Sequence, residues 1–187
     1  MNKKIEIKYE IFEDHVEELK KITVDIFNKE FHQVYGTFTI IINNFEYIPY
    51  PPEDLPLSAK GFFSELILTH FEFLIEAVLY LEKADYLCMK YIENPFTWLE
   101  IKVKGENLLI SELEIEIDPL NNWIHTDQSL FLNAKVGSIE DSVLTRTEFI
   151  SEIQLALGRF LGEIKEINPD LLRSIYFAKL IDFHNRI

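Results

Sequence analysis

Residues 112–118, Glu-Leu-Glu-Ile-Glu-Ile-Asp, alternate charge and hydrocarbon without a break, and this stretch constrains the fold more than any other. An apolar period of two is what a β-strand needs to bury one face and wet the other. Leu113, Ile115 and Ile117 form the inward row; Glu112, Glu114, Glu116 and Asp118 form the outward one. Four aligned carboxylates repel one another unless a cation lies opposite. Lys102 and Lys104, predicted to point the same way from a neighbouring strand, cannot neutralise four. The row is therefore expected to be uncompensated within the chain.

The same period recurs at Ile5, Ile7, Tyr9 and Ile11, and again around Ile22, Val24 and Ile26, where a strand is expected from Lys21 to Phe27 although Val16, Leu19, Thr23 and Ile26 would also suit a helix face. Asp14-His15-Val16-Glu17 has capping-box spacing for a short helical turn. Asn43-Asn44 predicts a two-residue hairpin turn, since asparagine tolerates positive φ, with Ile42 opposite Phe45 and Ile40 opposite Tyr47. Pro49, Pro51 and Pro52 end that sheet. Ser58 to Leu81 reads as a central helix, apolar nearly all round, with a polar stripe at Glu65, Thr69, Glu72, Glu76 and Lys83. Strands follow from Tyr86 to Ile117, turning at Gly105-Glu106-Asn107, and then an irregular stretch over 118–146 with a short strand at Leu130 to Ala134. Thr145-Arg146-Thr147-Glu148 is a capping box opening a helix with core positions Phe149, Ile153, Leu157, Phe160 and Ile164. Asn168-Pro169 predicts the start of the last helix, running to about His184. The sum is one α+β domain over 1–187: a largely antiparallel sheet packed against a central helix and two C-terminal helices.

Charge narrows the function classes. The 187 residues carry 32 acids and 18 bases, a net charge of −14. Nucleic-acid binding needs a basic face, and an anionic membrane surface would repel this chain. Eight acids against Lys135 alone fall between Gly105 and Thr145, so the asymmetry points to a basic protein partner. Acidic surfaces also serve solubility alone. The single cysteine, Cys88, excludes an internal disulfide framework and fits a reducing compartment. The N-terminus has charges where a signal peptide needs an apolar run, and Glu65, His70, Glu72 and Glu76 interrupt the most apolar stretch. A cytoplasmic protein is expected, with no membrane span; oligomeric state is open.

No metal-ligand spacing, nucleophile elbow, phosphate-cradling loop or dinucleotide fingerprint occurs, so no cofactor, no metal and no enzyme activity are expected. His70 lies on an apolar helix face, where a satisfied core histidine is the ordinary role and a buried base the other. Cys88 reads as an inert buried thiol. Gly158 and Gly162 read as a close approach for a neighbouring element, and Glu72 with Glu76 as a solvated stripe. What remains is the ladder, Glu112, Glu114, Glu116 and Asp118, running towards Trp123 and Asp127. Carboxylates beside an accessible indole are what a site for a basic protein offers: acceptors and a flat anchor. A solvated strand with Trp123 in the core is the alternative.

Gly36-Thr-Phe-Thr-Ile-Ile-Ile-Asn-Asn, Tyr47-x-Pro49, the apolar helix, Trp98-Leu-Glu-Ile, and Arg159-Phe-Leu-Gly-Glu-Ile with Asn168-Pro-Asp-Leu-Leu resemble small acidic immunity-like proteins of Gram-positive bacterial toxin systems. The resemblance implies a non-enzymatic inhibitor of a basic toxin or nuclease. It rests on turns, caps and core residues and carries over no binding residue; the long acidic loop departs from it. From another class, a small-molecule-binding or hydrolytic domain would need an aromatic pocket of Phe71, Tyr80 and Trp98 facing His70. A structural subunit would instead show an exposed apolar patch.

Overall fold

The computed structural model describes residues 3–52, 54–116 and 122–186. It is an α+β structure with antiparallel sheets. The chain divides into two compact units, one of Met1–Glu6, Ile40–Ile48 and Glu76–Ser151, the other of Ile7–Thr39, Pro49–Ile75 and Glu152–Ile187. The elements in chain order are β1 (Ile5–Ile11), α1 (Glu13–Leu19), α2 (Val24–Ile26), β2 (Tyr35–Ile42), β3 (Phe45–Glu46), α3 (Leu57–Lys60), β4 (Glu65–Leu66), α4 (Ile67–Leu81), β5 (Tyr86–Lys90), β6 (Thr97–Lys104), β7 (Asn107–Glu114), β8 (Ile124–His125), β9 (Lys135–Val136), β10 (Ser142–Thr145), α5 (Arg146–Ile167) and α6 (Ile175–Asn185).

One sheet orders β1-β2-β3, with β4 also on β2. Its hairpin turns at Asn43 and Asn44, with φ of 49° and 73°, and pairs Ile42 with Phe45 as the sequence predicts. In the second unit the sheet packs against helices through a chain of aromatic rings, edge-to-face at Phe38–Phe71 and stacked beyond it. Phe38 of β2 meets Phe71 of α4 at 5.6 Å, Phe71 meets Phe160 of α5 at 5.1 Å, and Phe160 meets Phe177 of α6 at 6.1 Å. All four rings are fully buried. The outer edge of β1 is held by side chains: the Ile7 N–H donates to Glu152 Oε1 at 2.8 Å, and Arg159 Nη2 donates to the Ile7 carbonyl at 3.1 Å. An exposed strand edge is a template for unwanted pairing, and this one is occupied.

The first unit holds the six-stranded sheet, ordered β10-β7-β6-β5-β8 with β9 also on β7. The capping box at the start of α5 forms reciprocally: the Glu148 N–H donates to Thr145 Oγ1 at 3.0 Å, and the Thr145 N–H donates to Glu148 Oε2 at 2.7 Å.

Four local expectations are corrected. Residues 21–27 form no strand; the Thr23 hydroxyl accepts from the Ile26 N–H and caps α2, which opens into a wide turn at Phe27–Phe31. The central helix begins at Ile67 rather than Ser58. Its first turn is capped from a distance, with Gln33 Oε1 accepting the Leu68 N–H at 2.9 Å and Gln33 Nε2 donating to Thr69 Oγ1 at 2.6 Å. Asn168 does not cap a continuous last helix: its amide donates to the carbonyls of Leu19 and Ile22, a short 3₁₀ turn follows at Pro169–Arg173, and Ser174 caps α6 through the Tyr176 N–H. In the loop before β10, the expected strand at Leu130 to Ala134 is replaced by a 3₁₀ turn at Gln128–Phe131, with β9 after it.

Candidate functional site

Residues directly opposite in an antiparallel ladder share a face. Trp98 faces Leu113, Glu100 faces Ser111 and Lys102 faces Leu109, while Cys88 and Tyr86 of β5 face Glu100 and Lys102. One side of the six-stranded sheet thus carries polar groups at positions framed by a core of Tyr86, Cys88, Trp98 and Leu113. Phe131 completes that core, its ring 5.1 Å from Trp98 and inclined to it by 62°. The 3₁₀ turn that delivers Phe131 is capped by Asp127, whose carboxylate accepts the Ser129 N–H at 2.9 Å. Hydrogen bonding from Ser129 holds the Asp127 carboxyl below its ordinary pKa.

Beside this core lies a solvent-open cleft of about 250 Å³. Glu100, Lys102 and Ser111 are on its floor; Phe131, Leu132 and Val136 form an apolar wall, and Glu140 and Asp141 the rim. Glu100 is 4% exposed and pairs with Lys102 Nζ at 2.7 Å. Ser111 is bound to the rim, accepting the Asp141 N–H at 3.0 Å while its hydroxyl donates to Asp141 Oδ1 at 3.4 Å. Asp141 takes φ of 39°, a conformation aspartate tolerates better than most side chains. The buried negative charge reaches its neighbours: burial first, and then Glu100, push the Cys88 thiol well above its ordinary pKa. Burial, then Cys88 and Glu100, do the same to the Tyr86 hydroxyl.

The predicted ladder is not an uncompensated row. Strand β7 ends at Glu114. Glu112 faces Leu99, and its carboxylate folds back to accept the Ser138 N–H at 2.9 Å. Gly137 makes room for it, since a Cβ there would sit 2.7 Å from the Glu112 carboxyl carbon. Glu114 lies opposite Lys135 of β9. Glu116 is exposed and bonded by Lys135 at 2.7 Å, which lowers its pKa. Asp118 lies outside the described residues. Lys102 and Lys104 face Leu109 and Asn107, on the side opposite Glu112 and Glu114, so their expected orientation is corrected. Trp123 is 44% exposed, and its carbonyl accepts the Lys90 N–H at 2.8 Å. The Lys90 ammonium lies 5.5 Å from the Trp123 ring and 5.4 Å from Trp98, a cation between two indoles.

His70, in the second unit, bonds Glu65 Oε2 at 2.7 Å through Nε2 and is stacked on Phe38 at 4.5 Å. The space an aromatic pocket would need beside it is filled by that ring. Tyr80 is 47% exposed and Trp98 belongs to the core with Cys88, both in the first unit. Gly158 does admit a neighbour, the His184 ring, whereas a Cβ at Gly162 would meet nothing within 4 Å.

Sequence reasoning missed Glu100, Lys102, Ser111, Glu140 and Asp141. A signal existed: Glu100 and Lys102 alternate with Leu99, Ile101 and Val103 along β6. Among the described residues no three His, Cys, Asp or Glu side chains are grouped to hold a metal, and no helix is long and apolar enough to cross a membrane. Comparison with family models, curated proteins and solved structures returned no match.

Proposed function

We propose that this chain is a non-enzymatic binding protein for a basic protein partner, acting as an immunity-like inhibitor of a cationic toxin or nuclease. The docking face is the cleft and its surroundings on the six-stranded sheet, displaced from the ladder expected from sequence. The carrying observation is the mixture exposed there: Leu132 and Val136, 75% and 50% exposed, beside the carboxylates of Glu140 and Asp141. Apolar side chains beside an excess of carboxylates are what a cationic protein covers, the apolar area giving affinity and the charge steering approach. Glu114, Glu116 and Asp127 are also exposed and acidic, and extend the negative field of the same unit.

The test is affinity capture on the immobilised full chain from source-organism lysate and culture medium, with identification of what is retained. A retained protein of basic composition, released by salt and lost on Leu132→Asp and on Glu140→Lys, supports the reading. Retention only of acidic proteins, or binding indifferent to salt and to both variants, overturns it.

A further inference from the structure

We propose that the cleft is a socket for one arginine side chain of that partner, an inference that rests on the binding reading above. Four observations carry it. At about 250 Å³ the cleft lies below the roughly 300–1,000 Å³ of small-molecule sites, the scale of a single side chain. Its lining carries three carboxylates, Glu100, Glu140 and Asp141, against the one ammonium of Lys102, so a cation is favoured. Asp141 uses Oδ1 towards Ser111, which leaves its second oxygen for an N–H donor, and the buried Glu100 carboxylate, paired with Lys102, lies beneath it. The exposed Leu132 and Val136 side chains, above the buried Phe131 ring, offer an apolar wall for a weakly hydrated group with a hydrocarbon stem.

Those features separate arginine from lysine. A guanidinium spans two acceptors at once and gives up its hydration more readily than an ammonium. A lysine entering the same cleft would place a second compact ammonium beside Lys102. The buried floor is fixed before binding, because Glu100 is held by Lys102 and Ser111 by Asp141, so little ordering is required of it.

The test titrates N-acetyl-L-arginine amide into the isotope-labelled full chain and follows backbone amides by NMR. The lysine and citrulline analogues serve as controls. Saturable shifts at Ser111, Leu132 and Asp141 are expected, about tenfold weaker for citrulline, which keeps the shape and loses the charge, and weaker for lysine. Asp141→Asn keeps a residue that tolerates positive φ and should cost about tenfold in affinity. Glu140→Gln, at an exposed position, provides a second variant if the first perturbs the turn. Shifts that never saturate, that spread over the acidic surface, or that are equal for citrulline overturn the socket. Capture of a basic protein that both variants retain at full strength also overturns the socket while leaving the binding reading intact. Seating of the arginine probe without capture of any basic protein supports the socket and overturns that reading.

Discussion

Each unit buries a carboxylate beside a basic side chain, and the two pairs differ in what surrounds them. Glu65 and His70 are 2% and 6% exposed, joined at 2.7 Å, with Phe38 laid flat on the imidazole. Glu100 is nearly as buried at 4%, yet its partner Lys102 keeps 29% of its side chain exposed and both line an open cleft. Burial alone therefore does not mark a site. The sealed pair ties β4 to the start of α4, and the open pair borders solvent through the Lys102 side chain.

Removing the acid from the sealed pair should give the largest effect. Glu65→Ala leaves the buried His70 ring nitrogen beneath Phe38 without its partner and opens a void, together costing about 3–5 kcal/mol. Urea unfolding measures it. Glu100→Gln should cost less, about 1–3 kcal/mol, because the Lys102 ammonium can turn to water while the amide still fills the space. A larger loss for Glu100→Gln than for Glu65→Ala would reverse the distinction between sealed and open pairs.

The contrast explains which parts were legible in the sequence. Strand β1, the Asn43-Asn44 hairpin, the capping box at Thr145 and the core face of α5 rest on neighbours in sequence, and each forms as read. The misread elements depend on distant partners. The start of α4 is capped by Gln33, some 35 residues earlier, and Glu65, read as part of a polar stripe, turns inward to His70. The ladder shows the same limit. Its alternation predicts strand β7 correctly as far as Glu114, but charge compensation comes from Lys135, which β9 carries back alongside. The cleft was illegible because Glu140 and Asp141 reach it only through the return of residues 135–145 along β7.

Alkaline pH probes the open pair's neighbourhood. Burial and the nearby Glu100 raise the Cys88 thiol, and burial raises Tyr86, Tyr47 and Tyr9. A raised folded-state pKa gives stability that is fully present below the unfolded-state pKa and is lost as pH rises. An unfolded thiol ionises near pH 8.5 and a tyrosine near 10, so stability should begin to fall above about pH 8.5, by about 1.4 kcal/mol per pH unit for each group. Cys88→Ala should delay the onset to about pH 10. An unchanged onset, read from unfolding midpoints across pH, would show that the Cys88 surroundings do not resist its charge.

The smallest stability effect belongs to Lys135, and it bears directly on the acidic face. Lys135 is 69% exposed at the side chain and Glu116 is 80% exposed, so their bond is screened by water and Lys135→Ala should leave the unfolding midpoint in place. Binding should respond differently. The substitution removes the ammonium that lies beside Glu114 and Glu116 and deepens the negative potential on that unit. Association with an arginine-rich peptide should then quicken by about twofold at low ionic strength, with the gain fading as salt shortens the screening length to a few ångströms. Stopped-flow measurement at two salt concentrations reads both quantities. A slower association would mean that Lys135 itself belongs to the contact, and a fall in midpoint would mean that its bond to Glu116 anchors β9. Either result would move the charge of this face from steering a partner to holding the fold.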